Sequence, residues 1–89
     1  MTERPEIANS ITTGDFTTNY HDVGDGYPIV FLHGSGPGVT AWANWNRIFP
    51  LMKDKFRVIA PDMAGFGFTE RLSGAAYNMT VWVKQVIDL

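Results

Sequence analysis

Residues 27–32 (YPIVFL) and 56–62 (FRVIAPD) are two apolar runs separated by a glycine-rich loop and one amphipathic stretch. That arrangement restricts the fold more than anything else in the sequence. A continuous apolar run suits a strand covered on both faces, as in a parallel sheet. The loop between the runs, HGSGPGVT (33–40), carries Gly34, Gly36, Gly38 and Pro37. Thr40 is a suitable N-cap for a following helix. Trp42, Trp45, Phe49 and Met52 recur at steps of three and four and give that helix one apolar face. Pro50 removes a helical N–H and clashes with the preceding turn, so the helix is expected to end or kink at Ile48 or Phe49. Residues 27–62 therefore read as a βαβ unit, a parallel strand pair joined by a helical crossover.

The flanks are less regular. Residues 1–14 are polar, carry Pro5 and Gly14, and read as an irregular arm. In FTTNYHDV (16–23), Phe16, Thr18 and Tyr20 share a face at period two, which predicts a half-exposed strand. Gly24-Asp25-Gly26 then predicts a tight turn, pairing this strand with residues 27–32 as a hairpin. Residues 63–77 form a long loop. Asn78 caps a last helix whose inner face is expected to hold Trp82, Val83, Val86 and Ile87. The expected class is α/β: a β-hairpin leading into a βαβ unit of a mostly parallel sheet, then a helix. No internal repeat or low-complexity segment is found. The last helix reaches Leu89 with no glycine cap, basic last turn or following strand, and two parallel strands with one helix leave open sheet edges. Residues 1–89 are therefore expected to be the N-terminal portion of a longer single domain.

Composition excludes several functions. The 89 residues carry a formal net charge of −2 and no Lys/Arg cluster that would neutralise phosphates, so nucleic acid is not an expected partner. There is no cysteine, hence no disulfide, thiol nucleophile or Cys-based zinc site. Two histidines, His21 and His33, are too few for a metal cluster, and no metal is expected. The opening MTERPEIANS has no apolar signal-like core, and no apolar run is long enough to span a bilayer. The expectation is a cytoplasmic protein with no membrane partner.

Backbone N–H groups left open by the glycine loop could receive a phosphate or a reaction oxyanion. Gly36-Pro37-Gly38-Val39-Thr40-Ala41 fits G-x-G-x-x-A between a strand and a helix, and Asp62 ends the next strand where a ribose-binding acid would sit. Pro37, however, removes a donor from the stretch that should wrap a pyrophosphate. The oxyanion reading draws on His33-Gly34-Ser35-Gly36 at the end of an apolar strand. A loop in that place can aim an N–H at charge developing on a carbonyl oxygen, and losing one such donor costs about 3–4 kcal/mol in a transition state.

FLHGSGPGVTAWANW, FRVIAPDMAGFGFTER and their spacing resemble the α/β-hydrolase family, and more narrowly its meta-cleavage product hydrolases. HGSGPG followed by AWANW is far more specific than a bare His-Gly; D-x-x-G-x-G-x-T (62–69) marks the wider family. The likeness extends from Asn19 to Leu89. It implies a cofactor-free serine hydrolase that cleaves a carbon–carbon bond in a ring-fission product of aromatic degradation. The substrate would be a small dienoate, 2-hydroxymuconic semialdehyde or a 2-hydroxy-6-oxo-dienoate. A homo-oligomeric parent is also implied. The nucleophile elbow G-x-S-x-G is absent from residues 1–89, since Ser10, Ser35 and Ser73 lack its frame. No catalytic triad is assigned here. Other α/β-hydrolase chemistries, esterase or epoxide hydrolase, and the dinucleotide-binding oxidoreductase are the rivals.

By that resemblance Gly34 and Ser35 belong to the oxyanion hole, with the Ser35 N–H as donor. Ser35, Gly36 and Asn44 contact substrate. Gly34 and Gly36 are expected to adopt backbone angles closed to other residues. His33 is expected to tie the loop to its neighbours rather than act as a base, and His21 to lie at the surface. Asp62 is expected to hold the following loop through backbone N–H groups rather than pair with Arg71. Trp42, Trp45 and Trp82 read as packing residues.

Overall fold

The computed structural model describes residues 5–14, 16–34, 36, 38–71 and 77–89. Four strands and three helices follow one another as β1 (Asn9–Thr13), β2 (Phe16–Gly24), β3 (Tyr27–Val30), α1 (Ala41–Trp45), α2 (Phe49–Met52), β4 (Phe56–Pro61) and α3 (Met79–Asp88). The strands form one sheet in the order β1-β2-β4-β3. β3 and β4 are parallel, with Ile29 beside Val58, whereas β2 is antiparallel to both β1 and β4.

This order corrects the expected hairpin. β2 and β3 do not pair, because β4 lies between them. The Gly24–Gly26 turn crosses the start of β4, and a Cβ on Gly24 or Gly26 would collide with backbone of Phe56, Lys53 or Lys55. Gly24 (φ 91°) and Gly26 (φ 122°) thus serve a close crossing rather than a two-strand turn. The true hairpin is β1–β2, which pairs Thr13 with Phe16 beside a turn at Gly14 (φ 62°). Residues 9–13 form a strand, not part of an irregular arm. Their side chains are mostly exposed, so backbone pairing, and not apolar alternation, makes the strand.

Period two along β2 and β4 sends His21, Val23, Val58 and Ala60 to one face, where α1 and α2 pack. The core there is Ala41, Phe49, Val58 and Ala60, with Val23, Phe31, Trp42, Trp45 and Met52 against it. Thr40 caps α1, its Oγ1 accepting from Ala43 N at 2.9 Å. The helix stops at Trp45, and Pro50 falls in the first turn of a second short helix, where a missing N–H costs nothing. β3 is exposed along most of its length, so its apolar run is not covered on both faces as expected. It is an edge strand among the described residues.

α3 covers part of the other face. Asn78 caps it by accepting from Val81 N at 3.0 Å. Its inner face differs from the expectation: Trp82 and Val86 are half-buried, but Val83 and Ile87 are exposed, and the most buried residue is Gln85. No helix among the described residues is long and apolar enough to cross a membrane.

Candidate active site

The chemistry-bearing loops gather where the parallel strands β3 and β4 end. The ladder runs one residue past β3, Phe31 N donating to Ile59 O at 2.9 Å. His33 follows. Its Nε2 accepts from Met63 N at 3.0 Å, which requires the proton on Nδ1; that nitrogen then donates to Gly34 O at 2.6 Å. Both ring nitrogens serve backbone groups, so His33 ties the loop down, as expected, and is not poised as a base.

Beyond His33, a Cβ on Gly34 would meet nothing within 4 Å, so the chain there borders open space. Gly34 does not have a positive φ, contrary to expectation; Gly36 (φ 149°) and Gly38 (φ 76°) do. Ser35, with the expected donor amide and substrate contact, lies outside the described residues, as does Pro37.

The far end of the loop is held by Asp62, which is fully buried. Its Oδ1 accepts from Ala41 N at 2.7 Å, at the first residue of α1. Its Oδ2 accepts from Phe68 N and from Asn19 Nδ2, both at 2.9 Å. Gly67 (φ 54°) passes so close to this carboxylate that a Cβ would overlap it. Arg71 does not pair with Asp62. Its guanidinium donates to Gly67 O at 3.1 Å and Gly65 O at 3.5 Å. Asp62 therefore holds backbone N–H groups of the loops, as expected.

Two cavities flank the loop and share Phe66, whose ring meets His33 edge-on at 5.2 Å. One, about 690 Å³, lies between the glycine loop and residues 65–71, with Gly36, Gly38, Trp42, Phe68 and Arg71 on its walls. The other, about 330 Å³, is bounded by Leu32, Gly34, Met63 and Trp82. Gly34 and Gly36 thus face different cavities. Asn44 is exposed on α1 and lines neither. Its N–H donates to Thr40 O at 3.1 Å within the helix.

His21 corrects another expectation: it is 4% exposed, not a surface residue. β2 is an inner strand, and the imidazole packs 5.7 Å from both Trp42 and Phe49. Burial pushes its pKa below the ordinary value, while the Asp62 carboxylate, a hydrogen bond to the Glu6 backbone and the Glu6 carboxylate pull it partly back. Neither described histidine is bonded to a hydroxyl, and no metal-binding cluster occurs among the described residues. The described residues supply a held loop beside cavities, with no nucleophile–base pair.

Asn19 and Gln85 were not singled out from the sequence. Asn19 bonds Asp62 and, through its amide, the backbone of residues 6 and 8. Gln85 bonds Thr18, Asp62 and Ala64. A polar residue one turn from Trp82 on a capped helix was the available signal for Gln85.

The arrangement also bears on the phosphate reading. The acid expected at a ribose is instead buried on the first N–H of α1, where a phosphate would need to bind. A mixed sheet with helices on both faces and a glycine loop after a parallel strand is an α/β-hydrolase arrangement. Residues 27–88 match the family described as the alpha/beta hydrolase fold, and the chain belongs to that family. Within it, the chain resembles meta-cleavage product hydrolases. It is 52% identical over 85 residues to 2-hydroxymuconate semialdehyde hydrolase of Pseudomonas sp. strain CF600, covering 96% of this chain and 30% of that protein. It is 55% identical over 84 residues to 2-hydroxy-6-oxo-2,4-heptadienoate hydrolase of Pseudomonas putida, covering 94% and 30%. The crystal structure of the meta-cleavage product hydrolase from Pseudomonas fluorescens IP01 superposes with a TM-score of 0.92 at 49% identity, over 96% of this chain and 31% of that one. The chain spans about 30% of the length of these curated relatives.

Proposed function

We propose that residues 1–89 are the N-terminal portion of a serine hydrolase that cleaves a carbon–carbon bond in a meta-ring-fission product. The reading is carried by the glycine loop, pinned at both ends by residues 62 and 63, in a chain more than half identical to two such hydrolases. The substrate class is 2-hydroxymuconic semialdehyde or a 2-hydroxy-6-oxo-dienoate. The dienol is first ketonised by moving a proton to carbon. Serine, or water activated by it, then adds to the distal carbonyl, and the carbon–carbon bond breaks to give 2-hydroxypenta-2,4-dienoate and a carboxylic acid. No metal or organic cofactor takes part.

In this reading the Ser35 N–H and the Gly34 backbone receive the developing oxyanion, and preorganised donors there stabilise the transition state more than the ground state. Ser35, Gly36 and Asn44 contact the substrate once residues after Leu89 complete the site and join the surroundings of Gly34, Gly36 and Asn44 into one. The nucleophile, acid and base are supplied by residues after Leu89, in a cytoplasmic, homo-oligomeric parent. Residues 1–89 alone turn nothing over.

The test is spectroscopic. The full-length protein should bleach the yellow dienolate of a ring-fission product, and purified residues 1–89 should not. A full-length protein that leaves every such dienolate intact while hydrolysing simple esters or epoxides would move the chain to a sister activity. Quenching or enhancement of NADH fluorescence on titration would instead revive the dinucleotide reading.

A further inference from the structure

Residues 62–64 are bonded in three directions. Asp62 holds Ala41 N, Met63 N donates to His33 Nε2, and both backbone groups of Ala64 go to α3. Ala64 N donates to Gln85 Oε1 and Trp82 Nε1 donates to Ala64 O, each at 2.9 Å. Gln85 Nε2 donates to Asp62 O at 3.0 Å and to Thr18 Oγ1 at 3.1 Å. The side chain is 1% exposed, and both amide hydrogens and the oxygen are engaged. A reversed amide would set its NH2 against the Ala64 N–H and its oxygen against the Asp62 carbonyl, so the partners allow one orientation.

We infer that Gln85 is a positioning residue for the glycine loop. It acts through residues 62–64. The loop from His33 to Ala41 is anchored at its two ends by adjacent residues of that segment, Met63 and Asp62. Gln85 fixes the segment against β2 and α3 at once. Without it, Met63 N–H no longer has a set place under the His33 ring, and the backbone after His33 loses its reference. The consequence for turnover rests on the proposed hydrolase reading; the consequence for the loop does not.

The experiment uses ligand-free full-length protein labelled with 15N-histidine, His33 being assigned by its loss in His33→Asn. The wild-type His33 nitrogens should be well separated, as for a single Nδ1–H tautomer. In Gln85→Leu they should converge, and Met63 amide exchange should speed up about tenfold, as expected for loss of a buried hydrogen-bond anchor. Gln85→Glu keeps the acceptor for Ala64 N but loses both donors. It sets an oxygen against the Asp62 carbonyl, so it should change the signature in the same direction at least as strongly, and it carries the test if Gln85→Leu is not recovered folded. Val58→Ala loosens the core without touching this network and should leave the His33 signature in place. In dienolate turnover, Gln85→Leu should lower kcat with KM preserved. An unchanged His33 signature in both Gln85 variants, or an equal change in Val58→Ala, would overturn the inference. A protein inactive on dienolates whose His33 signature still responds to Gln85 would refute the hydrolase reading and leave the positioning role standing.

Discussion

Two residues apart on α3, Gln85 is 1% exposed and Ile87 is 76% exposed. The same inversion separates two regions of the molecule. At the ends of β3 and β4, the polar side chains of Asp62, Asn19, Gln85 and Thr69 are buried and bonded to one another or to backbone. On the outer side of α3, Met79, Val83 and Ile87 form an apolar stripe in the open, and Val30 and Leu32 are exposed near the β3 edge. Loops that cross the ends of a sheet carry backbone donors that no strand satisfies, and a buried donor without a partner costs about 1–3 kcal/mol. Side-chain acceptors therefore stand where a helix or strand pattern would place an apolar residue. The apolar stripe contributes little within residues 1–89, because burial stabilises only where area leaves water.

The sharpest way to break this contrast is to remove the centre of the polar region. Asp62→Ala would remove the acceptor shared by Ala41 N, Phe68 N and Asn19 Nδ2. A loss of about 3–5 kcal/mol is expected in urea denaturation of the full-length protein. A change below about 1 kcal/mol would mean that water replaces the carboxylate freely and that the network is not a structural centre. Gly67→Ala attacks the same point from the loop. A Cβ there meets the Asp62 carboxylate at a backbone φ of 54°, and a loss of about 2 kcal/mol is expected in the same assay.

Local chemistry was legible in the sequence where a side chain acts on its own neighbours. Thr40 and Asn78 cap the helices they precede, and His33 and Asp62 hold loops, but Pro50 does not end α1, which stops at Trp45 rather than at Ile48 or Phe49 and leaves Pro50 in the first turn of α2. What was not legible depends on pairings distant in sequence. The insertion of β4 between β2 and β3 decides that Gly24–Gly26 is a crossing, that His21 is interior, and that β3 lies at an edge among the described residues. β1 has almost no apolar alternation to announce it. Reading α3 by hydrophobic period put Val83 and Ile87 inside; the real inner face is set by what the backbone of Asp62 and Ala64 needs. In the candidate site, the anchors of the glycine loop were visible from residue type. The separation of Gly34, Gly36 and Asn44 into different surroundings was not, because it depends on how residues 65–71 fold over the loop.

A smaller effect separates the polar network from the aromatic core beneath it. His21 has a lowered pKa because burial between Trp42 and Phe49 outweighs the pull of Asp62 and Glu6. In the unfolded chain the imidazole titrates near its ordinary value of about 6.5. Between the folded and unfolded values the unfolded chain binds more protons, so stability must fall as pH drops through that window. Urea midpoints measured from pH 7.5 to 5.5 should decline, and His21→Phe should flatten part of that decline while keeping the aromatic packing. The Asp22–Arg57 ion pair cannot produce this slope. Arg57 lowers the Asp22 pKa from a carboxylate value already below the window, so that contribution is lost only at more acidic pH. An identical slope in His21→Phe would place the titrating group elsewhere.

The smallest effect on folding is expected at the apolar stripe, and there the contrast is most exposed to refutation. Ile87→Lys changes a side chain that is already mostly in water, so the folding free energy of the isolated 89-residue chain should move by no more than about 0.5 kcal/mol. Self-association should respond more. Exposed apolar surface drives contacts between copies, and a charge within it opposes them. Sedimentation velocity on the isolated chain should show a shift toward monomer in Ile87→Lys. Lys84→Ser, one turn away and already polar, should not produce that shift. A folding loss above about 1.5 kcal/mol would show that α3 buries this stripe after all. The polar and apolar regions would then obey the same rule, and the inversion between Gln85 and Ile87 would lose its meaning.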